Sequence, residues 1–143
     1  KKILDNLFPD GKIDALKSTQ EKFDKYHEEL RKKAINTGIV KMQDGSDMSH
    51  GVAAKLINLY LKIIYICGSY KNENRINYIH PPIDSLLLDS LYEKKVGKDI
   101  SIWRNFKWSK MESKEYQKVI DGIKNLNLSK GLWSIEEYWI GHQ

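Results

Sequence analysis

The feature that most constrains this chain is the run Val52 to Cys67. It is 16 residues long and apolar or aromatic apart from Lys55, Asn58 and Lys62. A bilayer-spanning helix needs about 20 apolar residues with almost no charge, and this run is shorter and carries two lysines. It therefore reads as a core helix, wrapped by neighbours except along the polar stripe of residues 55, 58 and 62, which recur at i, i+3 and i+7. Ser49 stands where a hydroxyl accepts from the first free amides of that helix, and Gly68 stands where it stops.

The rest of the pattern is also helical. Ile13, Leu16, Phe23, Tyr26, Leu30 and Ala34 recur at spacings of three, four and seven, which predicts a helix over 12–36 ending before Gly38. Residues 41–50 are polar with an Asp-Gly turn, and residues 69–79 form a second polar loop. His80-Pro81-Pro82 follows, with Pro81 holding His80 extended and Pro82 suited to opening a helix over 83–92 with Leu86, Leu87 and Leu91 inward. Ser109 with Glu112 reads as a capping box opening a helix to Leu126, and Ser134 with Glu137 as a second one opening a short helix through Tyr138, Trp139 and Ile140. Residues 94–108 fit a loop, a short strand or a short helix equally. With no hairpin signal, the expected fold is all-α: four to five helices around a central apolar helix, in one domain spanning 1–143. The first residue is Lys, so upstream residues are expected to be missing.

One cysteine excludes a disulfide framework and a cysteine-built zinc site, and free Cys67 fits a reducing cytoplasm. His50 and His80 lack a third ligand at metal spacing, so no metal is expected. No Walker phosphate-binding loop, nucleophile elbow, His-Glu-x-x-His motif or zinc finger is present, and no cofactor is expected. No signal peptide or membrane span is visible.

The charge is uneven. The chain carries 24 basic and 19 acidic side chains, yet residues 1–93 have a net charge of only +1, residues 94–130 of +6 and residues 131–143 of −2. Within the basic stretch lies Trp103-Arg104-Asn105-Phe106-Lys107-Trp108. Cations interleaved with aromatics grip phosphate and stack on bases, and Trp103, Arg104, Lys107, Trp108 and Lys110 are candidate nucleic-acid contacts. The same composition also fits aromatic core anchors with solvated lysines between them, or a surface for an acidic protein partner.

Two helix starts together carry a more specific pattern. Gly51-Val52-Ala53-Ala54-Lys55 opens the core helix, and Pro82-Ile83-Asp84-Ser85-Leu86-Leu87 opens a later one. This pair resembles the helix-hairpin-helix DNA glycosylase superfamily, whose members have a Gly-Val-Gly-x-Lys turn and then a Pro-Val-Asp-Thr-His-Val-like segment. The resemblance covers residues 49–92, with identity at Gly51, Val52, Lys55, Pro82 and Asp84. Ala53 replaces the second glycine, Ser49-His50 the preceding Leu-Pro and Leu86 the histidine. Lys55 and Asp84 are 29 residues apart, which exceeds the family's usual spacing, with the extra length placed between Gly68 and Ile79.

The resemblance implies base-excision chemistry on DNA. Lys55 would be the nucleophile that attacks the sugar C1′, expels the base and forms a Schiff base. Asp84 would move protons or stabilise the cationic sugar. Gly51 and Ala53 would offer backbone N–H groups to a phosphate, and the base would be flipped out of the duplex first. The alternative is a non-catalytic helical interaction module, regulatory or defence-associated, that binds an acidic partner.

Overall fold

In a computed structural model the chain is all-α, and residues 2–9, 14–68 and 73–138 are described. Five α-helices follow in order among them: α1 (Lys2–Leu7), α2 (Gln20–Asn36), α3 (His50–Leu61), α4 (Ser85–Glu93) and α5 (Ser113–Lys124). Four 3₁₀ segments, Asn74–Tyr78, Ile100–Trp103, Trp108–Lys110 and Leu132–Tyr138, supply much of the rest, and a single antiparallel bridge joins Lys41 to Asp47.

Local chemistry accounts for the boundaries. Thr19 Oγ1 accepts from the Lys22 amide at 3.1 Å, so α2 begins at residue 20, not 12. Ala15, just upstream, is fully buried outside any helix, with its amide directed at the Tyr65 hydroxyl. The expected start at residue 12 lies outside the described residues. Ser49 caps α3 as its position implies, its hydroxyl accepting from the Val52 amide at 3.2 Å. The helix then widens into a π-helical turn over Lys62–Ile66, closed by Cys67 N–H to Lys62 C=O at 3.0 Å.

Three starts differ from the sequence reading. Pro82 does not open α4. The chain stays extended through Asp84, which is the cap and accepts from the Leu87 amide through Oδ1 at 3.0 Å. Ser109 does not cap α5. It lies in the 3₁₀ turn, its carbonyl taken by the Ser49 hydroxyl at 2.7 Å, and Glu112 with Glu115 forms the capping box three residues later. Ser134 is inside the last 3₁₀ segment, with its hydroxyl donating to the Gly131 carbonyl, while Trp139 and Ile140 lie outside the described residues.

Helix α3 runs between two apolar clusters. Ala53, Ile57 and Leu61 join Phe23, Leu30 and Ala34 of α2. Ala54 joins Ile83, Leu87 and Leu91 around α4, with Tyr116, Val119, Ile120 and Ile123 of α5. Each fully buried Ile or Leu contributes about 1.5–3 kcal/mol relative to exposure. The start of α3 presses on the Trp108–Lys110 turn so closely that a Cβ on Gly51 would lie 1.8 Å from the Trp108 carbonyl oxygen. No helix among the described residues is long and apolar enough to cross a membrane.

Candidate active site

Lys55 leaves α3 on the side that faces α4. Its Nζ lies 3.5 Å from Asp84 Oδ2 and 4.8 Å from the centre of the Trp108 ring. The α4 cap orients Asp84: Oδ1 is held by the Leu87 amide, which leaves Oδ2 for the lysine. Two turns further along, Lys62 pairs with Glu136 at 2.8 Å. Both pairs, with Leu59, Pro82 and Leu87, line one hollow of about 120 Å³. Side-chain exposures of 31% for Lys55 and 21% for Asp84 put the first pair within reach of solvent.

The stripe of residues 55, 58 and 62 therefore divides. Lys55 and Lys62 border the hollow, whereas Asn58 is fully buried and does not line it. Asn58 joins a polar chain that runs through the seam between the two apolar clusters. Arg31 Nη1 donates to His27 Nδ1 at 2.6 Å, which leaves His27 Nε2 to donate to Asn58 Oδ1, also at 2.6 Å. Asn58 Nδ2 donates to the Pro81 carbonyl at 3.0 Å and to the Tyr116 hydroxyl at 3.1 Å. Tyr116 then donates to His80 Nδ1 at 2.8 Å, and His80 Nε2 donates to Asp24 Oδ1 at 2.7 Å. Arg31 has no neutral form at ordinary pH, so His27 Nδ1 accepts and its proton sits on Nε2, facing Asn58 Oδ1; burial keeps His80 neutral, with its proton on the nitrogen that faces Asp24.

The electrostatics agree with that direction. Burial lowers the His27 pKa far below its ordinary value, with the positive charge of Arg31 adding to the effect. Burial also lowers His80, against the opposing pull of Asp24. Burial opposes ionisation of Asp24 as well, but hydrogen bonds from His80, Lys124 and Gln20 outweigh it and hold the carboxyl well below the usual range. Burial raises Tyr116, which keeps its hydroxyl protonated.

Sequence reasoning missed this chain. His27 and Arg31 sit at i and i+4 among Phe23, Leu30 and Ala34, on the buried face of α2. Their spacing was the available signal. His80 is spent on Tyr116 and Asp24, and His50 Nδ1 accepts from Arg31 Nε at 3.0 Å. Among the described residues no group of three or more metal-ligating side chains forms a site.

Several expected nucleic-acid contacts need correction. Gly51 is buried, and its amide donates to the Met111 carbonyl at 3.1 Å. Ala53 is fully buried, and its amide donates to the Ser49 carbonyl at 3.0 Å. Neither N–H is free for a phosphate. Gly51 is required by the closeness of the Trp108 backbone. Trp103 is 2% exposed, with its indole N–H on the Val96 carbonyl at 2.9 Å, so it is a core anchor and offers no face for stacking. Arg104, Lys107 and Lys110 are exposed, with Arg104 lying 4.2 Å over the Tyr92 ring and 3.8 Å from Asp89. Trp108 is half-buried beside Lys55.

No protein-family profile, no curated protein and no solved structure matches the chain.

Proposed function

We propose that the chain is a DNA-binding lyase of the base-excision kind, with Lys55 as nucleophile and Asp84 as its proton acceptor. The observation that carries the reading is the 3.5 Å approach of Lys55 Nζ to Asp84 Oδ2 at the edge of a solvent-reachable hollow, across 29 residues of chain. Exposed Lys107 and Lys110 flank Trp108, which borders the amine, and supply cations for the DNA backbone.

An abasic deoxyribose in its open form presents an aldehyde at C1′. Asp84 takes a proton from the Lys55 ammonium, and the neutral amine adds to that carbon to give a carbinolamine. Loss of water leaves a protonated Schiff base. Asp84 or water then removes a proton from C2′, and the 3′ phosphate departs by β-elimination.

Borohydride reduces such a Schiff base to a stable amine, so trapping is the test. The protein incubated with an abasic duplex and borohydride gives a covalent adduct, and Lys55→Ala gives none while keeping its helical circular dichroism. An untrapped wild-type protein ends the reading. A second reading is favoured by the Lys62–Glu136 pair, which repeats the Lys55–Asp84 arrangement two turns on and makes both pairs look like ties between segments. On that reading no adduct forms, and Lys107 and Lys110 serve an acidic protein partner.

A further inference from the structure

The buried polar chain has no place for one more proton at His80. Nε2 of that ring donates to Asp24 Oδ1 at 2.7 Å and Nδ1 accepts from the Tyr116 hydroxyl at 2.8 Å, so a further proton enters only at Nδ1. There it meets an oxygen whose own proton points at it. Tyr116 would have to turn that proton elsewhere, yet Asn58 Nδ2, 3.1 Å away, is itself a donor. Asn58 cannot present its oxygen instead, because Oδ1 accepts from His27 at 2.6 Å and Nδ2 also serves the Pro81 carbonyl at 3.0 Å. His27 cannot exchange the roles of its nitrogens either, since Arg31 donates to Nδ1. The conflict therefore has no solution while the chain of bonds is intact.

The surrounding charges do not offset it. His80 is fully buried and faces Asp24, His27 and Arg31 of α2, Tyr116 and Lys124 of α5 and, through Tyr116, Asn58 of α3. Asp24 favours an imidazolium, but its oxygens already accept from Gln20, Gln117 and Lys124. Arg31 and Lys124 oppose one, and burial opposes it most.

The two histidines are also held differently. His27 lies on α2, one turn from Arg31, within a helix of 17 residues. His80 lies in the stretch 80–84, which belongs to no helix, and Pro81 and Pro82 there have no N–H to give. This stretch is tied to the helices by the two bonds of His80, by the Asn58 bond to the Pro81 carbonyl and by the buried side chain of Ile83.

We propose that residues 80–84 form an acid-released latch: proton uptake by His80 frees this stretch from the seam while α2, α3 and α5 stay folded, and Asp84 moves away from Lys55. The latched ring is held below its ordinary pKa of 6.5 and the released ring regains it, so the latch is closed above pH 6.5 and opens progressively as pH falls below. The device concerns where Asp84 sits and not what Lys55 attacks, so it does not rest on the lyase reading.

Amide hydrogen exchange of the full chain, read residue by residue by nuclear magnetic resonance at pH 6 and pH 5, tests it by counting protons. Observed rates divided by intrinsic rates give opening constants. The Leu87 amide, held by Asp84 Oδ1, and the Leu88 amide, held by the Asp84 carbonyl, report release. Ile57 of α3 and Ile120 of α5 report global unfolding, which takes up protons at both His27 and His80. Leu87 and Leu88 open more readily than Ile57 and Ile120, and their opening constants rise about eightfold between the two pH values, as one proton requires, against about sixtyfold or more for the helices. His80→Gln keeps an amide donor for Asp24 and takes up no proton, and it abolishes the eightfold rise. If that variant does not fold, the proton count of the parent decides. The proposal is overturned if Leu87 and Leu88 open independently of pH, which marks fraying, or in step with Ile57 and Ile120, which marks global unfolding. It is also overturned if the eightfold rise survives in His80→Gln. The measurement uses no DNA, so its failure leaves the lyase reading untouched, and an abasic duplex that is not trapped leaves the latch untouched.

Discussion

Asn58→Leu removes the middle of the buried polar chain with little change in volume. Three bonds disappear: His27 Nε2 loses its acceptor, the Pro81 carbonyl its donor and Tyr116 one of its two partners. Tyr116 keeps its bond to His80, so it is not orphaned. The His27 N–H and the Pro81 carbonyl are left dry and unpaired, each at about 1–3 kcal/mol. The expected loss is therefore about 2–6 kcal/mol, a large part of the 5–15 kcal/mol typical of a domain. With a urea m-value of about 2 kcal/mol/M, the midpoint falls by about 1–3 M at unchanged m.

Asn58→Asp separates this reasoning from simple packing loss. It keeps an acceptor for His27 but loses the donor to Pro81 and buries a carboxylate, whose ionisation burial disfavours. The destabilisation by Asp is then larger at pH 8, where the group must ionise or hold a strongly raised pKa, than at pH 5. Urea unfolding at both pH values measures it. A Leu variant that loses under about 1 kcal/mol, within the range of an ordinary exposed substitution, refutes the assigned chain. So does an Asp variant whose loss is the same at both pH values.

Acid destabilises the parent protein early. His27 and His80 have folded pKa values below the ordinary 6.5, so the unfolded chain takes up protons first and stability, full above that pH, is lost as pH falls through 6.5. With both histidines unprotonated only in the folded state, the slope approaches about 2.7 kcal/mol per pH unit. Asp24, held below its ordinary value, adds a further loss below about pH 4, and urea midpoints between pH 8 and pH 4 record both. Gly51→Ala places a methyl group 1.8 Å from the Trp108 carbonyl oxygen, and overpacking of this severity is expected to cost about 3 kcal/mol, a drop of about 10 °C in Tm by thermal melting. If Arg104, Lys107 and Lys110 each neutralise one phosphate, log affinity for duplex DNA falls with log salt at a slope of about −3. Replacing Lys107 and Lys110 by Ala brings it to about −1 in fluorescence anisotropy, and a slope unchanged by the double variant places the DNA elsewhere.

The parts of this fold legible in the sequence are those decided within a few residues. Ser49 as a cap, α3 as the central helix and Gly38 as the end of α2 rest on local hydroxyls, apolar spacing and a positive φ of 64°. The errors arise where two local solutions compete. Ser109 and Glu112 can each cap α5, and tertiary contact decides, because Ser49 takes the Ser109 carbonyl. Asp84 reads equally well as a first-turn acid or as the cap, and the extended path of Pro82 and Ile83 selects the cap. The convergence of Lys55 and Asp84 was anticipated only through the resemblance to a family pattern, since nothing within either segment encodes a contact across 29 residues. The polar chain was illegible for the opposite reason. A His and an Arg on an amphipathic helix read as its wet face, and only partners on α3, α5 and the His80 segment make their burial tolerable.

That chain and the Lys55–Asp84 pair are mechanically connected. Asn58 is one turn from Lys55 on α3, and it binds the carbonyl of Pro81, three residues before Asp84. His80, one residue earlier still, is held by Tyr116 and Asp24. The segment carrying the carboxylate is thus hydrogen-bonded to the helix carrying the amine, at a depth where water cannot compete. An apolar seam of the same volume would stabilise the core as well, but would let the Pro81–Asp84 segment slide along α3, because apolar contacts are not directional. A fully satisfied set of directional bonds restricts that sliding and fixes the register. The 3.5 Å approach of the two groups is therefore set from beneath, and Asn58 disturbs the site through this scaffold without touching the hollow.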